Sequence, residues 1–79
     1  MKVKVLYYAA MRDFTGKTQE VFDTQATTVQ QLLQTLRDKY DILIKDDDMR
    51  VAVNENYVDF SQPLKEEDTV VFIPPVAGG

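Results

Sequence analysis

The residues of this chain best suited to chemistry stand together at its end, Pro74-Pro75-Val76-Ala77-Gly78-Gly79. Consecutive prolines fix φ and force an extended path. Val76 and Ala77 offer small apolar anchors. Gly78 and Gly79 have no side chains and can thread a channel too narrow for other residues. Extended residues advance about 3.3 Å each, so this segment reaches roughly 20 Å, far enough to carry a terminal carboxylate deep into another protein. An α-carboxyl has a pKa of about 3.3–3.7 and is an anion at neutral pH. It can attack the α-phosphate of ATP and become an acyl-adenylate, an activated acyl group. A sulfur nucleophile could then convert it to a thiocarboxylate, whose sulfur is a better nucleophile than carboxylate oxygen. Gly79 is therefore the expected reacting residue, with Pro74, Pro75, Val76, Ala77 and Gly78 as the segment that inserts it.

The rest of the chain offers little competing chemistry. There is no cysteine and no histidine. Disulfides, thiolate ligands, thiol nucleophiles, Ser-His catalysis and histidine-ligated zinc are thereby excluded. Ser61 is the only serine and has no base of the usual kind. We expect no catalytic side chains, no metal site and no bound cofactor. Lys2, Lys4, Lys17, Arg37, Lys39, Lys45 and Lys65 are scattered through a chain of net charge −4, which does not predict a nucleic-acid partner. No apolar run approaches membrane-spanning length, and Met1 to Val5 does not resemble a signal peptide. The expectation is a cytoplasmic protein.

Those tail residues need a rigid body behind them. With 79 residues, 44% of them hydrophobic, one small core is possible and two are not. Lys2 to Tyr8 alternates as a strand, with Val3, Val5 and Tyr7 on one face and Lys2, Lys4, Leu6 and Tyr8 on the other. Ala9 to Phe14 breaks the alternation as a helical turn or loop, Gly16 suits a turn, and Thr18 to Phe22 reads as a second strand. Thr28 is placed to cap a helix, with Gln31 completing a capping box. Val29, Leu32, Leu33, Leu36 and Tyr40 then form one apolar stripe. Asp46-Asp47-Asp48 lacks the spacing of a calcium loop and reads as solvated. Arg50 to Asn54 is a third strand, a turn at Asn54 to Asn56 leads into Tyr57-Val58, and Thr69 to Ile73 is the last strand, stopped by Pro74-Pro75.

A helix stripe with such strands predicts an α+β domain, a mixed sheet of four to five strands with one main helix on one face. The β-grasp (ubiquitin-like) fold, whose first and last strands lie parallel at the centre, satisfies this order. The expected division is a domain over 1–73 and an extended, flexible tail over 74–79. Leu6, Tyr8, Val71 and Ile73 fall on the strand faces away from the helix and predict an exposed apolar strip running toward the tail, which Tyr57 would extend. Such a strip suggests a docking surface.

The sequence resembles the small subunits of molybdopterin synthase, a ubiquitin-like sulfur-carrier family. The resemblance runs nearly end to end. It rests on Lys4 to Ala9 with Met11-Arg12-Asp13, Thr28-Val29 with Leu32-Leu33, Val51 to Asn54 with Tyr57-Val58, and Pro63-Leu64 with Asp68 to Val70. Its most specific part is Phe72 to Gly79. It implies that a ubiquitin-activating-type adenylyltransferase uses ATP on Gly79, and that a sulfur donor makes the thiocarboxylate. It further implies that the tail enters the large subunit of molybdopterin synthase, in a heterotetramer, to give sulfur to cyclic pyranopterin monophosphate in molybdenum cofactor synthesis. It also implies partner contacts near Tyr8, Tyr57 and Ile73, while Arg12 is a candidate to meet a partner acid. Three alternatives share these features: a protein modifier forming isopeptide bonds through Gly79, a sulfur carrier of thiamine synthesis, and a binding module with an idle tail.

Overall fold

The computed structural model describes residues 1–75; Val76, Ala77, Gly78 and Gly79, expected to insert and react, lie outside the described residues. Strand β1 (Lys2–Leu6) buries Val3 and Val5 and turns Lys2 and Lys4 outward. It is shorter than its alternation predicts. Tyr7 still donates its N–H to the Thr18 carbonyl at 2.9 Å, but Ala9 turns to φ 48° and ψ −126°. The Tyr8 carbonyl then accepts the Met11 N–H at 3.0 Å. Tyr8 thus lies past the strand, leading into helix α1 (Ala10–Thr15), which buries Met11 and Thr15. Gly16, at φ 72°, closes α1 by donating to the Arg12 carbonyl, the left-handed cap that glycine favours. Strand β2 (Gln19–Asp23) returns antiparallel to β1.

Helix α2 (Val29–Lys39) starts at extended Thr28, whose hydroxyl oxygen accepts the Gln31 N–H at 3.3 Å. The other half of the expected capping box is displaced by one residue. Gln31 Oε1 accepts from the Thr27 N–H at 2.7 Å and the Thr27 hydroxyl at 3.0 Å, while Thr28 bridges to Pro63. Val29, Leu32, Leu33 and Leu36 are wholly buried in one core cluster with Val3, Val5, Tyr7, Val51, Val70 and Phe72.

The acidic run is not fully solvated, as its composition suggested. Asp46–Asp48 forms a 3-10 turn, and Arg37 holds the Asp46 carboxylate at 2.7 Å. The Arg37 hydrogen bond lowers the Asp46 pKa. Arg37 also donates to the Ile42 and Ile44 carbonyls, which pins this connection to the helix. Asp47 and Asp48 do remain exposed.

Strands β3 (Arg50–Val53) and β4 (Asn56–Val58) form a hairpin. Its two turn residues, Asn54 at φ 50° and Glu55 at φ 73°, have the positive φ of a type I′ turn. Asparagine tolerates this conformation; glutamate does so at a cost of about 1–2 kcal/mol. Glu55→Gly should therefore raise stability by about 0.5 kcal/mol after the greater chain entropy of glycine is offset. The expected rise in melting temperature is a few degrees, measured by thermal unfolding.

The last strand, β5 (Thr69–Ile73), is inserted between β1 and β3, giving the order β2-β1-β5-β3-β4. It runs parallel to β1 and antiparallel to β3, so the first and last strands are central as expected. Buried Asp68 fixes its entry, accepting from Asn54 Nδ2 at 2.9 Å and from the Lys65 N–H at 2.8 Å. Among the described residues, no helix is long and apolar enough to cross a membrane.

Candidate functional site

Strand registers place the expected docking residues. Leu6 on β1 lies beside Val71 on β5, Val71 beside Ala52 on β3, and Ala52 beside Tyr57 on β4. Their inward neighbours Val5, Val70, Val51 and Val53 are buried. Because side chains alternate across a sheet, Leu6, Val71, Ala52 and Tyr57 form one row on the face away from α2. Val71 and Leu6 are half-buried, while Tyr57 is 75% exposed at the edge. Ala52, which the sequence did not single out for docking, is nearly covered within this row, and the strand alternation around Val51 and Val53 was the signal that could have placed it there.

Tyr8 joins this surface from beyond the end of β1. It is 55% exposed and lines a groove of about 450 Å³ with Leu6, Val71, Thr69, Asn54 and Glu55. The structure thus brings Leu6, Tyr8 and Val71 into one groove and sets Tyr57 on the same row outside it. Ile73 is half-buried and pairs with Arg50 at the final rung. Pro74 follows as a buried residue and Pro75 as an exposed one. The chain therefore leaves the sheet at its centre, from the end at which β1 passes into Tyr8 and the strained Ala9. Arg12, on α1, is exposed.

A polar cluster that sequence reasoning missed braces this same end. The Glu20 side chain, only 10% exposed, accepts hydrogen bonds from Tyr7 Oη at 2.9 Å, Tyr40 Oη at 2.7 Å, Lys17 Nζ at 2.9 Å and Lys39 Nζ. Tyr7 and Tyr40 meet edge to face with ring centroids 6.4 Å apart. Burial opposes ionisation of Glu20, but the hydrogen bonds from Lys39, Lys17, Tyr40 and Tyr7 together outweigh it and bring its pKa from 4.5 to about 2. Burial, and then the bond to Glu20, raise the Tyr7 hydroxyl above its ordinary value. The bond to Glu20 raises both lysines.

A depressed carboxylate stabilises the fold fully above its ordinary pKa of 4.5, and the contribution disappears as pH falls toward about 2. Glu20→Gln should therefore cost about 2 kcal/mol at pH 7, the scale of charge-assisted hydrogen bonds, or roughly 10 °C in melting temperature. The gap from the unaltered chain should close between pH 4.5 and 2. Thermal unfolding of both proteins across that range measures it.

A mixed sheet in this order, with one long helix on its inner face and an apolar strip on its outer face, defines the ubiquitin-like β-grasp class. The model of the ThiS family matches residues 5–79, and the chain belongs to the ThiS family. It is similar to the molybdopterin synthase sulfur carrier subunit of Escherichia coli, with 34% identity over 80 residues, covering 98% of this chain and 99% of that one. The subunit of the same description from Mycobacterium tuberculosis is 41% identical over 83 residues, covering 100% of this chain and 99% of that one. Among solved structures, SAMP1 from Haloferax volcanii superposes with a TM-score of 0.84 at 20% identity over the whole of both chains. A chain from the complex of subunits 1 and 2 of molybdopterin-converting factor from Helicobacter pylori does so with a TM-score of 0.71 at 24% identity, again over the whole of both. At these identities the two structures bear on the fold alone.

Proposed function

We propose that this chain is the sulfur carrier of molybdenum cofactor synthesis, and that the Gly79 carboxylate carries the sulfur. The observation that carries this reading is the root of the tail. Central strand β5 ends at Ile73, and the chain departs through Pro74-Pro75 beside an apolar outer face. Family membership and two full-length relatives described as molybdopterin synthase sulfur carrier subunits support it.

In this cycle a ubiquitin-activating-type adenylyltransferase binds the outer face and joins the Gly79 carboxylate to the AMP portion of ATP, and pyrophosphate leaves. Sulfide-level sulfur from a donor then attacks the acyl carbon, AMP leaves, and a thiocarboxylate remains. The carrier then docks on the large synthase subunit through Leu6, Tyr8, Val71, Ile73 and Tyr57. Val76 to Gly79 enters the active site there, the thiocarboxylate sulfur bonds to cyclic pyranopterin monophosphate, and water cleaves the acyl–sulfur bond and restores the Gly79 carboxylate. The two assemble as a heterotetramer, in the cytoplasm. Catalytic side chains belong to the partners; this chain supplies the reacting atom and the reach. That the two full-length relatives are described as subunits of a synthase supports an arrangement with a second subunit.

The test is the intact mass of the protein after incubation with activating enzyme, ATP and a sulfur source. Replacement of one oxygen by sulfur at Gly79 is expected, followed by sulfur transfer when large subunit and precursor are added. A ladder of larger isopeptide conjugates would assign the chain to the protein modifiers instead. An unchanged mass with active enzyme present would remove the carrier reading.

A further inference from the structure

The β2 edge of the sheet has no strand beside it among the described residues. Its backbone can be read from the two ends of its ladder with β1. Tyr7 donates to Thr18, and Thr24 and Met1 exchange hydrogen bonds at 2.8 and 3.0 Å. In an antiparallel ladder inward-bonding residues alternate with outward-facing ones. Thr18, Glu20, Phe22 and Thr24 therefore bond toward β1, and Gln19, Val21 and Asp23 present their N–H and C=O groups to the open edge. Each offers one donor and one acceptor. Val21, in the middle, is 61% exposed. No proline or bulge blunts the strand, as edges commonly require.

We propose that this edge pairs with the β2 edge of a second copy, antiparallel and centred on Val21. The argument is self-complementarity, which a two-fold interface demands. Centred on Val21, the two valines meet and Gln19 of each copy lies opposite Asp23 of the other, an amide donor facing a carboxylate. On the helix side Glu20 lies opposite Phe22 of the other copy. The Lys39 ammonium already sits 5.2 Å from its own Phe22 ring centroid, so it is brought toward the second copy's Glu20. Neighbouring registers fail. Centring on Glu20 sets the two Glu20 residues opposite each other, and centring on Phe22 sets Val21 against Asp23 and gathers both Lys39 ammoniums. Parallel pairing is head-to-tail and does not close.

The resulting dimer is a continuous sheet with both α2 helices on one face and both outer apolar strips on the other. Antiparallel pairing sends the two β5 strands in opposite directions. A single edge-to-edge strand pairing is a small interface of the weak, transient class, so self-association should become detectable only at high protein concentration, on the order of 1 mM. The strips of β1, β5, β3 and β4 stay open, so this contact is separate from the docking row.

The chain has no cysteine, so single thiols report the register. In the H-bonded antiparallel pair at Val21 the Cα atoms would stand about 5.5 Å apart, within disulfide range. Under mild oxidation Val21→Cys should cross-link to itself at least tenfold faster than Gln19→Cys or Asp23→Cys alone. A mixture of Gln19→Cys and Asp23→Cys should cross-link between the two variants. Val21→Lys should weaken dimerisation at least tenfold in sedimentation equilibrium and leave the melting temperature unchanged. A monomer at 1 mM in sedimentation, equal cross-linking of all three cysteine variants, or an unweakened Val21→Lys dimer would each overturn the proposal.

Discussion

Deleting Gly79, or adding one residue after it, is expected to reduce sulfur transfer by at least about a thousandfold, the scale of losing a nucleophile. The deletion withdraws the reacting carboxylate by about one extended residue, roughly 3.3 Å. A misplacement of about 1 Å already costs about a hundredfold in a positioned reaction. The addition replaces the reacting carboxylate with a peptide bond. Among the described residues every strand and helix lies at or before Ile73, so both variants should melt at the temperature of the unaltered protein. Transfer assayed with activating enzyme and large subunit, beside a thermal scan, separates the two effects. Full activity of either variant would remove Gly79 from the chemistry.

The second large effect concerns adjacent residues of β5 whose losses should differ in kind. Phe72 is wholly buried against α2, and Phe72→Ala should cost about 3–5 kcal/mol. For a domain of this size that lowers the melting temperature by more than about 12 °C. Val71 lies on the opposite face, between Leu6 and Ala52. Val71→Lys should change stability by no more than about 1 kcal/mol, yet weaken binding to the large subunit at least about tenfold by placing a charge in an apolar contact. Unfolding curves and binding titrations on both variants test the pair. A Val71→Lys protein that binds normally would move the docking surface elsewhere.

These two residues also show why much of the fold was legible. A strand reports its faces through alternation, and a helix reports its buried stripe through spacing. β1, α2 and β5 therefore declared both their type and their inward residues, and Pro74-Pro75 marked where the last strand stops. What stayed hidden depends on distant partners. Glu20 looked like an ordinary charged residue in a short strand; its importance comes from Tyr7, Lys17, Lys39 and Tyr40 converging on it, and no local spacing announces that. Asp46 belonged to a run of acids and reads as solvated until Arg37 folds onto it. Tyr8 continued an alternating pattern, but the turn at Ala9 ended the strand first. Alternation carries no term for such a turn.

The parallel pairing of Lys4, Val5 and Leu6 with Thr69, Val70 and Val71 has a consequence for how the molecule is made. The central seam joins the earliest residues to nearly the last, so it cannot close while the ribosome still holds the carboxyl-terminal strand. Contacts so far apart in sequence form late and slowly. Until they form, β1 and β3 each lack their middle neighbour. A nascent or interrupted chain therefore has neither a finished body nor a presentable end. Completion of the fold and presentation of the segment that follows β5 become one event.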